Sequence, residues 1–448
     1  MKVAIVGAGI SGLTCAWLLH PHHEITIYES EPVVGGHSNT VEFECDAKPY
    51  RIDTGFIVYN DRNYPNFMKL LDRLAIRGVP TAMSFAVRCD RTGIEYSGSG
   101  LAGVFAQKRN LLRPSFLRMV SDILRFNRSG AENAEQDLGT MTVGEYLRRN
   151  RYGPAFSAHY LLPMGAAIWS CPTGTFADFP IQFILEFYRN HGLLSLTNRP
   201  QWFTIPGGSR RYVESISASF LPSIRTSSPV QRVDRDAEGV TVAAAGDVSR
   251  FDEVIFACHS DQALRMLGQP SGLEEKVLAG FPYEMNDAVL HTDSTVLPRS
   301  RKAWSAWNYR IGASCGNATA ATVTYNMNIL QHIQSPETFC VTLNDTEQIS
   351  ASTVISRHRY AHPVFTTERA VLQSMHDQLI RRNHTSFCGA YWGNGFHEDG
   401  VNSALAVCRR FGVIGIDGTL DANFSEQSVL RSGDTIRRSA VAPGGSHA

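Results

Sequence analysis

The sequence predicts an α/β fold in which a parallel, doubly wound unit is interleaved with a mixed α+β unit. Three observations carry that expectation. A β-α-β pattern opens the chain, with glycines at fixed intervals between its first strand and helix. Strand-like and glycine-turn signals return near 205–260 and 388–412. Between them lie aromatic helical segments and, from about 276 to 366, a mixed strand-and-loop pattern suited to one face of an antiparallel sheet.

That order assigns residues 1–75, 205–275 and 385–420 to the first unit, and 76–204 and 276–384 to the second. Residues 421–448 form a polar, Gly/Pro-containing stretch, which reads as a tail disordered at its end.

The elements follow in order. Val3-Ala4-Ile5-Val6 is a short apolar strand, Ser11 to Leu19 a helix, and Ile25-Thr26-Ile27-Tyr28 a second strand rich in β-branched residues. Three glycines interrupt this opening and no A-x-A-like site follows His20-Pro21, so it does not read as a secretory leader. Phe67, Leu70, Leu71 and Leu74 recur at helical spacing over 65–75, and Thr142-Val143-Gly144-Glu145 is a capping box. Phe179, Phe183, Ile184 and Phe187 share one face of a helix over 176–191, closed by Gly192. Val230–Val233, Val240–Ala243 and Val254–Ala257 read as strands, and 401–410 as a helix.

Composition narrows the function classes. Lys+Arg and Asp+Glu each number 42, so no global field favours nucleic acid or an anionic membrane. Nine cysteines without a C-x-x-C pair fit a reducing compartment, and the expected location is cytoplasmic. No apolar run reaches the ~18 residues of a spanning helix, which leaves peripheral membrane contact as the only kind expected. No H-x-x-E-H pattern occurs, and no catalytic metal is expected.

The chemistry begins at Gly7-Ala8-Gly9-Ile10-Ser11-Gly12, a G-x-G-x-x-G between strand and helix. Gly7 permits the tight turn and Gly9 lets backbone approach a pyrophosphate. Gly12 lets helix and strand pack closely, and Ile10 and Ser11 place helix N–H groups at the phosphates. Glu29 ends the second strand about 20 residues on, where a carboxylate holds ribose hydroxyls and repels a 2′-phosphate. A second glycine turn, Gly35-Gly36-His37, suits an extended cofactor, and FAD is the dinucleotide expected. With a single glycine fingerprint, no separate NAD(P)H site is expected.

The run from Val3 to Thr40 resembles the opening of the flavin-containing amine oxidase superfamily, which includes phytoene desaturases and protoporphyrinogen oxidases. Asp53-Thr54-Gly55-Phe56, Pro206-Gly207-Gly208 and Val230-Gln231-Arg232-Val233 resemble later turns and strands of its FAD domain. The resemblance implies a Rossmann-like FAD-binding domain, with Val233 on the strand whose backbone holds the adenine. It also implies that Gly395 to Val401, with Asp399, Gly400 and Val401, touches flavin and ribityl chain. A helix start there would stabilise charge developing on a reduced flavin.

A narrower resemblance rests on Ala166-Ala167-Ile168-Trp169-Ser170, Asn190 to Leu194, Gln201-Trp202, Gly207-Gly208-Ser209, Leu290 to Asp293, Trp307-Asn308-Tyr309 and Cys388 to Tyr391. It points to oxidoreductases found beside, or fused to, cyclopropane-fatty-acid synthase-like proteins. The chain departs from amine oxidases in carrying His37 where Arg is usual. It also carries no Lys opposite the flavin, and His291 is expected in that region by order along the chain. His291 could act as a base or hold a water, against a structural role. Tyr391 and Trp392, with Phe396, could line the substrate face, and the Phe179/Phe183/Phe187 stripe is core or an acyl-channel wall. The expected activity is FAD-dependent oxidation or desaturation of a small-molecule or lipid substrate, an apolar modified acyl chain. The alternatives are a flavin amine oxidase and a non-catalytic FAD-binding partner of a lipid methyltransferase.

Overall fold

The structure, a computed structural model, describes residues 1–419 apart from 46, 137, 170–172, 196–198, 313–321, 345, 365 and 367. The tail read at 421–448 and Ser170 of the narrower motif lie outside them. In chain order, the elements that position the site are β1 (Lys2–Val6), α1 (Ile10–Leu19), β2 (Glu24–Tyr28), α2 (Pro65–Arg73), α3 (Pro114–Asn133) and α4 (Ile181–Asn190). They continue with α5 (Arg210–Ser217), β3 (Glu253–Phe256), β4 (Tyr283–His291), β5 (Val354–Pro363), β6 (Thr385–Phe387) and α6 (His397–Arg409).

Val3, Ala4 and Ile5 are fully buried, as expected of a strand covered on both faces. β1 pairs in parallel with β2 on one side and β3 on the other, in a five-stranded sheet ordered Ile224–Arg225, β2, β1, β3, β6. The chain therefore leaves β1 toward β2 and later returns to β1's opposite edge. That reversal opens a crevice beyond the carboxyl ends of β1 and β3, the usual place for a dinucleotide in such sheets. α1 and α6 cover one face through Leu13, Ala16, Val401, Ala404 and Leu405.

The second sheet has seven strands, ordered β5, β4, 340–343, 322–326, 307–311, 85–89, 94–97. Its neighbours run antiparallel except for 307–311 beside 85–89. A helical layer closes over its 85–97 end, with Phe116, Phe126, Phe156 and Tyr188 fully buried. No helix among the described residues is long and apolar enough to cross a membrane.

Two element boundaries differ from the sequence reading. The helix expected over 176–191 is two helices, Thr173–Ala177 and α4, separated at Asp178–Pro180. Pro180 disfavours helix in the residue before it and caps the next one, so Phe179 lies in the turn. The helix expected from 401 starts four residues earlier, at His397, and places Asp399, Gly400 and Val401 in its opening turns.

Candidate functional site

The glycine loop after β1 has a face prepared for a ligand. Gly7 has φ +105, where a side chain would be strained, and its added Cβ would meet the Ala257 carbonyl oxygen at 2.9 Å. A Cβ on Gly12 would fall 1.9 Å from Gly7 O, so α1 approaches the strand that closely only with glycine there. Gly9 is the opposite case, since a Cβ there meets nothing within 4 Å. It faces open space at the uncapped N-terminus of α1. Ala8 N donates to Glu29 Oε2 at 2.8 Å, while Glu31 N occupies Oε1 at 3.0 Å, which fixes the carboxylate at the end of β2. Gly35 N donates to Ala8 O, and Gly36 sits against Gly9, so the two glycine turns form one wall.

His37 follows that wall and meets three side chains from two other segments. Its ring centroid lies 6.1 Å from His259 after β3, 5.6 Å from His362 on β5, and 5.1 Å from Tyr360. His259 stacks on Tyr283 of β4 at 4.4 Å, and Asn286 Nδ2 lies 3.0 Å from His362 Nδ1. His37, His259 and His362 are each half-buried. Desolvation, with the neighbouring imidazoles, holds His37 well below its ordinary value and lowers His362 to about 4. Neutral rings thus stand beside the glycine wall. A bound pyrophosphate beside them would favour protonation.

A second group of contacts joins three distant segments. Ser38 Oγ lies 2.9 Å from His397 Nε2, and Tyr212 OH lies 3.0 Å from the same nitrogen. Ser38 and Tyr212 also bond each other. Phe56 stacks flat on the His397 ring at 3.5 Å. Burial lowers His397 to about 3, so its imidazole is neutral and can accept from one hydroxyl. Behind them Asp53 accepts from Thr40 Oγ1 at 2.6 Å and from both Ser209 N and Oγ at 2.9 Å. Burial raises the Asp53 carboxyl to about 6 despite those bonds.

The start of α6 also borders a cavity of about 170 Å³, lined by Tyr64, Phe183, Phe187, His191 and Phe396 together with Asn63, Asn190, Asn394, Glu186, Glu398 and Asp399. Phe187 stacks on Phe396 at 5.6 Å and on His191 at 3.8 Å. Arg369 Cζ stands 5.5 Å from the Phe183 ring centroid. Glu186 accepts from Gln182 Nε2 at 2.7 Å, and the other two lining carboxylates accept from backbone N–H groups. Glu398 accepts from Asn66 N and Phe67 N at 3.0 and 2.8 Å, capping α2, whose first residue Pro65 has no N–H to offer. Asp399 accepts from Phe396 N at 2.9 Å.

The structure thus gathers Gly7, Gly9, Ile10, Ser11, Gly12, Glu29, Gly35, Gly36 and His37 at the crevice. Gly400 packs against them, since its added Cβ would meet Ile10 and Ser11. Val401 is buried between α6 and α1. Val233 is fully buried on its strand, and its carbonyl accepts from Gly268 N at 2.9 Å.

Of the residues expected at the substrate face, Phe396 lines the cavity, whereas His291, Tyr391 and Trp392 do not. His291 is fully buried, its Nε2 2.7 Å from Thr342 Oγ1 and its Nδ1 accepting from Asp293 N at 3.1 Å. The β4 side chains that reach the histidine cluster are Tyr283 and Asn286, the nearer of them roughly 16 Å back along the strand at its usual rise. Tyr391 and Trp392 pack with Phe281 and His376 and do not line the cavity. Sequence reading missed His259, Tyr360, His362, Ser38 and Tyr212. The alternation His358-x-Tyr360-x-His362, which puts three rings on one strand face, was the available signal.

A family model described as flavin containing amine oxidoreductase matches residues 10–295, more than half of the chain. A curated protein of Mycobacterium tuberculosis, named "Putative flavin-containing monoamine oxidase AofH", is 24% identical over 354 residues, covering 75% of this chain and 72% of that protein. Among solved structures, a CLA-producing fatty acid isomerase from P. acnes matches with a TM-score of 0.63 at 14% identity, covering 91% of this chain and 98% of that one. Cyclohexylamine oxidase from Brevibacterium oxydans IH-35A matches with a TM-score of 0.62 at 13% identity, covering 92% and 99%. At such identities these structures share the fold.

Proposed function

Because the chain belongs to the flavin-containing amine oxidoreductase family and is an FAD-dependent oxidoreductase, we propose that it oxidises or desaturates an apolar, modified fatty acyl substrate at the cavity beside α6. The open face of Gly9, the fixed Glu29 carboxylate and the uncapped start of α1 fit FAD's pyrophosphate and ribose. Bound FAD supplies an acceptor for a hydride taken from a C–H bond. In this reading the start of α6 sets a partial positive charge near the acceptor, and His397, locked by Ser38 and Tyr212, keeps that start in place.

The observation that carries the substrate reading is the aromatic wall of Phe183, Phe187 and Phe396, which joins α4 to the start of α6. An acyl chain has no charge to anchor, so binding rests on burial, at about 0.8 kcal/mol per CH₂ or roughly 5 kcal/mol for six. Ligand pockets usually exceed about 300 Å³, so this cavity suits a segment of a chain better than a whole lipid. The narrower resemblance to oxidoreductases beside cyclopropane-fatty-acid synthase-like proteins points the same way, as does likeness to a fatty acid isomerase.

A second reading, oxidation of an amine, draws on Glu186, Glu398 and Asp399 in the same cavity. Backbone donors already hold Glu398 and Asp399, which leaves less charge for an ammonium group. Anaerobic titration of the yellow protein decides between the readings. Bleaching by methyl-branched or cyclopropane acyl lipids supports the acyl reading, whereas bleaching by simple amines or polyamines and by no lipid overturns it. A flavin that no substrate bleaches indicates a non-catalytic FAD-binding partner.

A further inference from the structure

The chain is neutral overall, yet residues 101–130 carry Lys108, Arg109, Arg113, Arg118, Arg125 and Arg128 against the single acid Asp122. Asp122 is buried and bonded to Arg125 and to Gly153 N. Acidic residues resume only at Glu132. The same stretch concentrates exposed leucines. Leu101 is 79% exposed, Leu112 86%, Leu111 and Leu124 about half, and Leu117 43%. Among the described residues, the one other leucine so exposed is Leu221.

The pattern is helical and one-sided. On α3 the exposed positions Leu117, Arg118, Ser121, Leu124, Arg125 and Arg128 recur every three or four residues. The opposite side sends Phe116, Met119 and Phe126 into the core at 0–1% exposure. Gly130 sets α3 against α4, an added Cβ there lying 3.3 Å from Leu185. The surface therefore backs onto the helix that carries Phe183 and Phe187.

We propose that this face, Lys108–Leu112 with the outer side of α3, binds the surface of an anionic phospholipid bilayer. Leucines between arginines on an otherwise packed helix match an interfacial element, with apolar tips in the headgroup boundary and cations on lipid phosphates. A nucleic acid would use the cations but leave the leucines in water. The acidic excess on the rest of the chain favours this face as the one turned to an anionic surface.

Co-sedimentation of the full-length, FAD-loaded protein with vesicles tests the proposal without any turnover, so its outcome is separate from the substrate reading. Vesicles of phosphatidylcholine with one third phosphatidylglycerol should retain the protein, pure phosphatidylcholine should not, and salt should release it. Arg118→Gln with Arg128→Gln should weaken binding roughly fivefold per cation. Leu112→Ser with Leu117→Ser should weaken it while leaving the salt dependence unchanged. Retained flavin absorbance and melting temperature show that each variant is folded. Absence of binding to anionic vesicles, or equal binding by the arginine variant, overturns the proposal. So does a vesicle-free dimer that the leucine variant abolishes, which would assign the face to a second copy of the chain.

Discussion

Ser38 Oγ and His397 Nε2 lie 2.9 Å apart although 359 residues separate them in sequence. Tyr212 closes the group from a third segment, and each partner is buried. His397→Ala leaves two buried hydroxyls to rearrange and removes the ring stacked on Phe56. It should cost about 1–3 kcal/mol of stability and weaken FAD retention. Denaturant titration with flavin fluorescence reads both, and an unchanged midpoint would refute the role given to this group.

Two glycine substitutions should separate binding from folding. Gly9→Val projects into open space, so the apoprotein should unfold near the wild-type midpoint yet stay colourless on addition of FAD. Gly12→Val drives a side chain into Gly7 O and should prevent folding. A yellow Gly9→Val protein would remove the pyrophosphate from this loop.

Acid should destabilise the protein earlier than carboxylate titration alone. Burial lowers His191 and His291 to about 4 and His397 to about 3. The unfolded chain protonates these rings near 6.5, so their contribution is full above that pH and drains away as pH falls toward 4. Each contributes up to about 1.4 kcal/mol per pH unit inside the window. Asp53 and Asp399, raised to about 6, act in the opposite sense below that pH and soften the slope. Unfolding free energy measured from pH 7 to 5 should decline, and a rising profile would show the rings protonated in the fold.

Phe183→Ser should raise KM for the acyl substrate several-fold while leaving the flavin spectrum unaltered. It removes apolar wall at a half-buried position without adding charge beside Arg369. Unchanged KM with that substrate would place the acyl chain elsewhere.

His291→Ala should lower stability by about 1–3 kcal/mol, since Thr342 and Asp293 N lose a buried partner. Flavin reduction should stay within about twofold of wild type. A hundredfold slower reduction in stopped flow would instead give His291 a part in the chemistry.

What the sequence conveyed best was local. Gly7, Gly9, Gly12 and Glu29 belong to one β-α-β unit whose geometry is short-range, and the capping box at Thr142 and Glu145 formed as read. Harder to read was whatever depends on partners far along the chain. His37 gave no hint that His259 and His362 would face it, because one follows β3 and the other lies on β5 of the second sheet, both far along the chain. The start of α6 escaped because Phe396 is no capping residue. The acidic pair Glu398-Asp399 marked the first turn, and each carboxylate turned out to serve a backbone N–H, one of them on a different helix. Pro180 breaks a phenylalanine periodicity that runs on either side of it, so the spacing alone suggests one helix where there are two.

The joining of Ser38, Tyr212 and His397 has a consequence for biosynthesis. The glycine loop leaves the ribosome about 390 residues before the helix that completes its surroundings, roughly 20–80 s at ordinary elongation rates. Through that interval the early strands hold a nucleotide crevice with one side missing. Loading of the cofactor must therefore wait for that helix, and a ribosome-stalled chain lacking residues beyond 385 should emerge without flavin.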